Sequence, residues 1–359
     1  MRKLTTALAA LALVSSFAIA APANAAETIT GEGSSFAYGR ITDCNASYTK
    51  NTVTYLSTGS GNGRKSLNGV GAVQRDFAGS DAAYSASDKA PTYKSFTYVP
   101  VTGGAIALAY NVSGVNSLNL NSALVAKIFD GRITMWNDPA IKAANKTAKL
   151  PAKKITVGYR SGDSGTTANF VNYLIAFQPK LGYKATGTFE NAAPSLPASK
   201  FTAANSQEMA TKIDATGYSI GYVDLFDTIN NDLQYAKLAN YYSKTSTVKG
   251  KKVTKTATQY VGPTAAASGL FLAAQTKNMA SDGSIKIDYK VNVKNGYPMS
   301  LFTYVIAPAN NSAATSAKGA AIKDFVNYVV NTCKATPGYA TFPTDFKKTV
   351  TTKLIAKIG

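Results

Sequence analysis

Histidine is absent from all 359 residues of this chain. A serine nucleophile served by an imidazole base is therefore excluded, although YRSGDSGTT (159–167) contains the Gly-Asp-Ser-Gly string that surrounds such nucleophiles in one class of proteases. A Ser–Lys dyad would need a Ser-x-x-Lys beside a nucleophile turn, and no Ser-x-x-Lys of this sequence sits beside such a turn. We expect no enzyme. Cysteine occurs twice, at Cys44 and Cys333, and two cysteines without histidine cannot fill a tetrahedral zinc shell. Acidic residues are few, 19 against 38 Lys and Arg, for a formal net charge of +19. Beyond the first 25 residues no stretch is apolar enough to span a bilayer.

The N-terminus reads as a secretory signal. Arg2 and Lys3 precede an apolar run from Leu4 to Ala20, and Ala23 and Ala25 place small residues before a cut after Ala25. No cysteine lies near that cut, so lipid anchoring is not expected, and an exported protein of the periplasm, the cell envelope or the extracellular space is. Removing residues 1–25 leaves 359 − 25 = 334 residues, and losing Arg2 and Lys3 lowers the charge to +17. That length suits about two domains. An even cysteine count in an exported chain points to a Cys44–Cys333 disulfide, with two buried thiols as the alternative. The positive balance favours anionic partners in general. The lysines are scattered or sit in Thr/Lys stretches such as TSTVKGKKVTKTATQ (245–259), without the arginine–aromatic clusters of a nucleic-acid groove, so no nucleic-acid partner is expected.

Short β-like runs alternate with helix-like ones, the mark of an α/β sheet protein. KNTVTYLSTGSGNG (50–63) is a strand entering a glycine-rich turn, and GAIALAYNV (104–112), KITVGYR (154–160) and LFTYVIAP (301–308) read as buried strands. Phe170, Val171, Leu174 and Phe177 form one helical face behind a Ser164 or Thr166 cap. Ile322, Phe325, Val326 and Val329 form another on a helix from Lys318 to about Thr332, and NSALVAKIFDG (121–131) is a shorter helix ended by Gly131. Residues 186–200 and 243–258 read as excursions, the second an exposed hairpin.

Three stretches share one design. GEGSSFAYG (31–39), STGSGNGRK (57–65) and RSGDSGTT (160–167) combine glycine with Ser or Thr, and in the latter two a strand runs straight into a helix. Glycine lets the backbone approach a ligand, helix N-termini leave N–H groups unpaired, and hydroxyls add donors. Arg160 supplies a planar fork for an oxyanion. A small anion fits this chemistry. Asp81, in DFAGSDAAYS (76–85), then becomes useful if the anion keeps a proton at neutral pH. Its carboxylate accepts that proton's hydrogen bond, which favours hydrogen phosphate over sulfate. The plainer reading of Asp81 is a turn or cap residue.

GEGSSF, GSGNGRK, FAGSDAA, VPVTGGAIALAYNVSG (99–114), IFDGRITMWNDPAI (128–141), YRSGDSGTT, YSIGYVD (218–224), YPMSLFTYVI (297–306) and GYATFP (338–343), in that order, resemble the phosphate-binding proteins of ATP-driven importers, within the periplasmic-binding-protein superfamily, type II. The resemblance implies a two-lobed α/β fold with a hinged cleft, lobe one from about 26–112 and 300–359 and lobe two from 113–299. It implies inorganic phosphate as ligand, no cofactor or metal, a membrane permease as partner and a monomeric working unit. It assigns ligand contacts to Ser35 and Phe36, Ser60, Asp81, Arg160, Ser164, Gly165 and Thr166. Two positions depart from the family's pattern. The acid that orients the arginine usually stands two residues after it; here that place is Gly162 and Asp163 follows, one position late. Glu32 replaces a small or neutral residue and would repel a dianion if it pointed into the cleft. A secreted basic adhesion or surface-associated protein on the same scaffold, with altered or lost phosphate binding, is the alternative.

Overall fold

The computed structural model describes residues 26–67, 74–85, 88, 95–248, 251–310 and 316–359. The expected signal segment, 1–25, lies outside them. Twelve strands are present among the described residues: β1 (Thr28–Gly33), β2 (Thr52–Ser57), β3 (Phe77–Ser80), β4 (Phe96–Asn111), β5 (Asn119–Leu120), β6 (Thr156–Arg160), β7 (Lys200–Ala203), β8 (Ser219–Asp224), β9 (Gln234–Tyr235), β10 (Lys237–Val248), β11 (Lys251–Val261) and β12 (Ser300–Pro308). Nine form one sheet in the order β2-β1-β3-β12-β4-β8-β6-β7, with β9 also on β4, and β11-β10-β5 form a second.

The long strand β4 organises the molecule. Phe96–Ala105 pair antiparallel with β12, and Ile106–Asn111 pair antiparallel with β8. Its apolar sequence supports this, since every residue between its two ends is buried. On one side of β4 the sheet runs through β12, β3, β1 and β2, with β1 parallel to β2 and β3; on the other it runs through β8, β6 and β7, with β6 parallel to both neighbours. The helix Ala265–Ala273 and the segment after it pack toward the first half of β4. Tyr98 N donates to Asp282 O at 2.8 Å, and Ile285 N donates to the Tyr304 hydroxyl of β12 at 3.1 Å.

Local signals set the helices. Asn121 accepts from Leu124 N to cap Ser122–Phe129, and Ser164 accepts from Thr167 N to cap Gly165–Phe177. Phe170, Val171 and Leu174 are fully buried, whereas Phe177 is only half-buried. The helix expected from Lys318 is α-helical over Ser316–Asn327 and widens to a π turn at Tyr328–Thr332. Residues 186–200 are more than an excursion: Phe189 opens a single helical turn and is wholly buried against Tyr159, Phe129 and Phe170. An apolar anchor in a polar stretch has no periodicity to reveal it.

Cys44 and Cys333 form a disulfide, with Cα atoms 5.5 Å apart and a separation of 289 in sequence. Arg40, one turn earlier on the helix Tyr38–Asn45, donates to the carbonyls of Val329 (2.8 Å) and Cys333 (3.3 Å), satisfying acceptors that the end of the π turn Tyr328–Thr332 leaves open. The bridge closes a very long loop. Replacing both cysteines by serine is expected to lower unfolding free energy by about 2–4 kcal/mol, read as an earlier denaturant midpoint with a steeper slope, because the unbridged unfolded chain exposes more surface.

Candidate anion-binding site

Strand ends and helix starts meet on one side of the sheet. β1 delivers Ser34, Ser35 and Phe36, β2 leads through Gly59 to the helix Ser60–Ser66, β3 delivers Asp81, and β6 delivers Arg160 ahead of the helix Gly165–Phe177. Gly59 turns at φ 93°, a conformation in which a side chain would be strained. Gly165 packs so closely that a Cβ there would lie 2.5 Å from Ser60 Oγ and 2.7 Å from Asp81 Cβ. The sequence motifs thus form one wall-to-wall cradle, and Ser35, Ser60, Asp81, Arg160, Ser164 and Thr166 are all at most 4% exposed.

Asp81 is ringed by hydroxyls. Its Oδ1 accepts from Thr303 Oγ1 at 2.7 Å and from Ser34 Oγ. Oδ2 is held loosely, by Ser60 Oγ at 3.4 Å and Thr166 Oγ1 at 3.3 Å. Burial pushes the Asp81 carboxyl above its ordinary value, opposed by the hydroxyls of Ser34 and Thr303 and by the Arg160 charge. Oδ1 is held by the close hydroxyls, and the two long contacts at Oδ2 are the ones a ligand's donor can displace.

Arg160 faces the same space. Nη1 donates to Ser35 Oγ at 3.0 Å, Nη2 to Ala204 O at 2.5 Å, and its backbone N to the Tyr222 hydroxyl at 3.0 Å. Its Nε is buried without a hydrogen-bond partner among the described residues. Burial lowers the guanidinium's affinity for its proton, and Tyr222, Asp81, Asp224 and Glu208 oppose that shift. Ser164 Oγ accepts at its own helix start, which leaves its proton available to donate. The Phe36 ring packs edge-on against Tyr339, whose hydroxyl donates to Phe36 O at 2.6 Å and fixes the turn.

Asp163 does not hold Arg160. Its Oδ2 accepts from Arg64 Nη2 at 2.7 Å, and Arg64 also reaches Asp88 and the Ser80 hydroxyl. The one-residue shift turns the carboxylate away from the Arg160 fork and toward the helix Ser60–Ser66, where Gly61 N also donates to Asp163 O at 3.1 Å. Glu32 is paired with Arg75 at 3.1 Å, so its charge is matched outside the cradle.

Several contributors had weak or no sequence signal. Thr303 is a lone hydroxyl in an apolar strand, and Ser34 adjoins Ser35 in one motif. Ser206 brings a fourth helix start: its N and Oγ lie 3.2 and 3.0 Å from Ser35 Oγ. Asn205 with Glu208 three residues on is the capping-box pattern that could have located it. Beneath, Asp224 and Asp227 are a buried acid pair, both pushed upward by burial, Asp227 to about 6. Gln207 ties Asp227 Oδ2 (2.7 Å) and Ser57 Oγ (2.8 Å) together across the sheet. A cavity of about 730 Å³ adjoins Asp81 and is lined by Arg64, Asn169, Asn172 and Tyr289. Among the described residues no cluster of His, Cys, Asp and Glu is placed to hold a metal, and no helix is long and apolar enough to cross a membrane.

A mixed α/β sheet with one long shared strand and a buried, hydroxyl-rich cradle of helix starts defines a two-lobed solute-binding class. Residues 18–332 match the PBP superfamily domain, and the chain belongs to that superfamily. It is 31% identical over 287 residues to phosphate-binding protein PstS 2 of Mycobacterium tuberculosis H37Rv, covering 78% of this chain and 71% of that protein. It is 44% identical over 129 residues to phosphate-binding protein PstS3 of Mycobacterium bovis BCG, where it spans about a third of that relative's length (34%) and 35% of its own. Among solved structures it resembles a high affinity periplasmic phosphate-binding protein bound with phosphate (TM-score 0.65, 24% identity, 90% and 92% of the two chains) and a DING protein (TM-score 0.70, 21% identity, 92% and 96%), likenesses of fold.

Proposed function

We propose that this protein captures inorganic phosphate between two lobes and delivers it to the membrane permease of an ATP-driven importer. The observation that carries the reading is the pairing, in one buried cradle, of an Arg160 whose Nε lacks a partner with an Asp81 whose Oδ2 is loosely held. A cation fork, helix-start N–H groups and hydroxyls hold the anion's oxygens, and Asp81 Oδ2 accepts the one proton that hydrogen phosphate retains. Ser35, Phe36, Ser60, Ser164, Gly165 and Thr166 supply the remaining donors. PstS 2, similar along most of this chain and named for phosphate, supports the same ligand. Export after Ala25 and a monomeric working unit complete the reading.

The lobes are assigned to 26–112 with 300–359, and to 113–299, with residues 265–299 folded back toward the first half of β4. Titration of refolded, phosphate-stripped protein by calorimetry tests the function. A saturable response well below millimolar phosphate is expected, and a folded protein silent at millimolar phosphate overturns it.

In this reading Arg64–Asp163 is a contact between lobes that exists only when the cleft is closed. Asp163→Asn is then expected to speed phosphate release about fivefold, on the order of 1 kcal/mol for a partly exposed charged hydrogen bond, with little change in the association rate. Stopped-flow release into a phosphate trap reads this directly. An unchanged release rate would place the contact outside the closing step.

A further inference from the structure

The second sheet has a surface that the phosphate cleft does not use. β10 and β11 pair in unbroken register from Leu238↔Val261 to Val248↔Lys251. At about 3.4 Å per residue, this ribbon is roughly 35 Å long. Its base is seated on the body: Ser243 N donates to Asn292 Oδ1, Asn240 Nδ2 to Val293 O, and Tyr241 packs against Phe177. Beyond that base Lys244, Thr245, Thr247, Lys251, Lys252, Thr254 and Lys255 are all exposed.

Charge on the ribbon is of one sign. Between Asp232 and Asp282 the sequence contains no acid. Lys244 stands directly opposite Lys255, an arrangement that destabilises an antiparallel pair, and Lys251 lies on the same face four residues along. Lys252 projects from the other face, opposite Thr247. Among the described residues no ion pair neutralises any of these four lysines. The opposite face from the lysine trio is a hydroxyl ladder, with Thr245 Oγ1 and Thr254 Oγ1 2.9 Å apart.

We propose that this ribbon binds a linear anionic polysaccharide. Repeated ammonium groups along an extended strand match repeated acidic groups along a chain, and the threonine face offers donors and acceptors to sugar hydroxyls. Two other polyanions fit less well. A bilayer surface favours apolar or aromatic residues that enter the interface, and residues 243–256 contain only two valines of that kind. A nucleic acid favours arginine and stacking aromatics, and this stretch has neither. Edge protection alone explains single lysines but not two placed face to face.

The test uses the mature protein and heparin as the probe, a linear polyanion that is not a phosphate ester. Lys244→Gln, Lys251→Gln, Lys252→Gln and Lys255→Gln combined are expected to weaken heparin binding at least tenfold and to flatten its dependence on salt. The charge-matched control replaces the exposed Lys142, Lys146, Lys149 and Lys154 by glutamine and is expected to stay within twofold of the parent. The control should melt at the parent temperature and the ribbon variant at that temperature or slightly above it, since all eight side chains are exposed and the change at Lys244 and Lys255 relieves a like-charge pair. Equal loss in both variants, or loss in neither, overturns the proposal, because net charge or another surface then accounts for binding. Tighter binding to phosphatidylglycerol vesicles or to single-stranded DNA than to heparin overturns it in favour of those partners.

Discussion

Arg160→Ala is expected to weaken phosphate binding by about 10²- to 10⁴-fold, the equivalent of roughly 3–5 kcal/mol for removing one partner of a buried charged pair. The reason lies in the fork's surroundings. Arg160 is 3% exposed, and among the described residues its side chain donates to a hydroxyl and a carbonyl, with no carboxylate hydrogen-bonded to it. Its charge is therefore left for the ligand. Without it a dianion would enter a water-poor site with only neutral donors, and Asp81 would add an opposing charge. Arg160→Lys should recover part of the loss, because the charge returns without the planar fork. Calorimetric dissociation constants for the three proteins check this. An alanine variant within about tenfold of the parent, with unchanged thermal unfolding, would remove Arg160 from the ligand's shell.

Asp81→Asn is expected to erase much of the discrimination between phosphate and sulfate, by about 10- to 100-fold in the ratio of affinities. The carboxylate has no proton to offer when ionised, so a fully deprotonated anion meets repulsion at Oδ2 while hydrogen phosphate meets an acceptor. An asparagine amide can donate as well as accept, which lifts the repulsion and weakens the preference. The substitution is nearly isosteric, and an oxygen at the Oδ1 position would still accept from Ser34 and Thr303. Competition between the two anions measured by displacement calorimetry decides it. An unchanged ratio would assign selectivity elsewhere in the cradle.

The glycine–hydroxyl turns were legible because each is a local device. A helix start needs its cap within three residues, so Ser164 at the start of the helix Gly165–Phe177 follows from a short string, whereas the approach of Gly165 to Ser60 is a contact that only the fold supplies. Phe170, Val171 and Leu174 were legible for a similar reason, since one helical period places them on a single buried face. Thr303 was not, because a threonine in an apolar strand carries no local mark of what it faces. It reaches Asp81 across 222 residues of sequence only because β12 lies beside β3. Ser206 met Ser35 across 171 residues by the same kind of long-range placement.

The amino-acid sequence by itself determined the α/β class, the absence of imidazole chemistry, the one intramolecular pairing open to the cysteines and the residue types of the cradle. These depend on composition, on short periodicities and on there being only two cysteines to join. The tertiary structure alone decided which charges are matched. Asp163 belongs to Arg64 and Glu32 to Arg75, leaving Arg160 without a carboxylate hydrogen-bonded to it. Ion pairing depends on distance and direction through space, and a shift of one residue at a turn re-aims a side chain completely. The order of strands in the sheet sets those distances, and no local stretch of the chain encodes it.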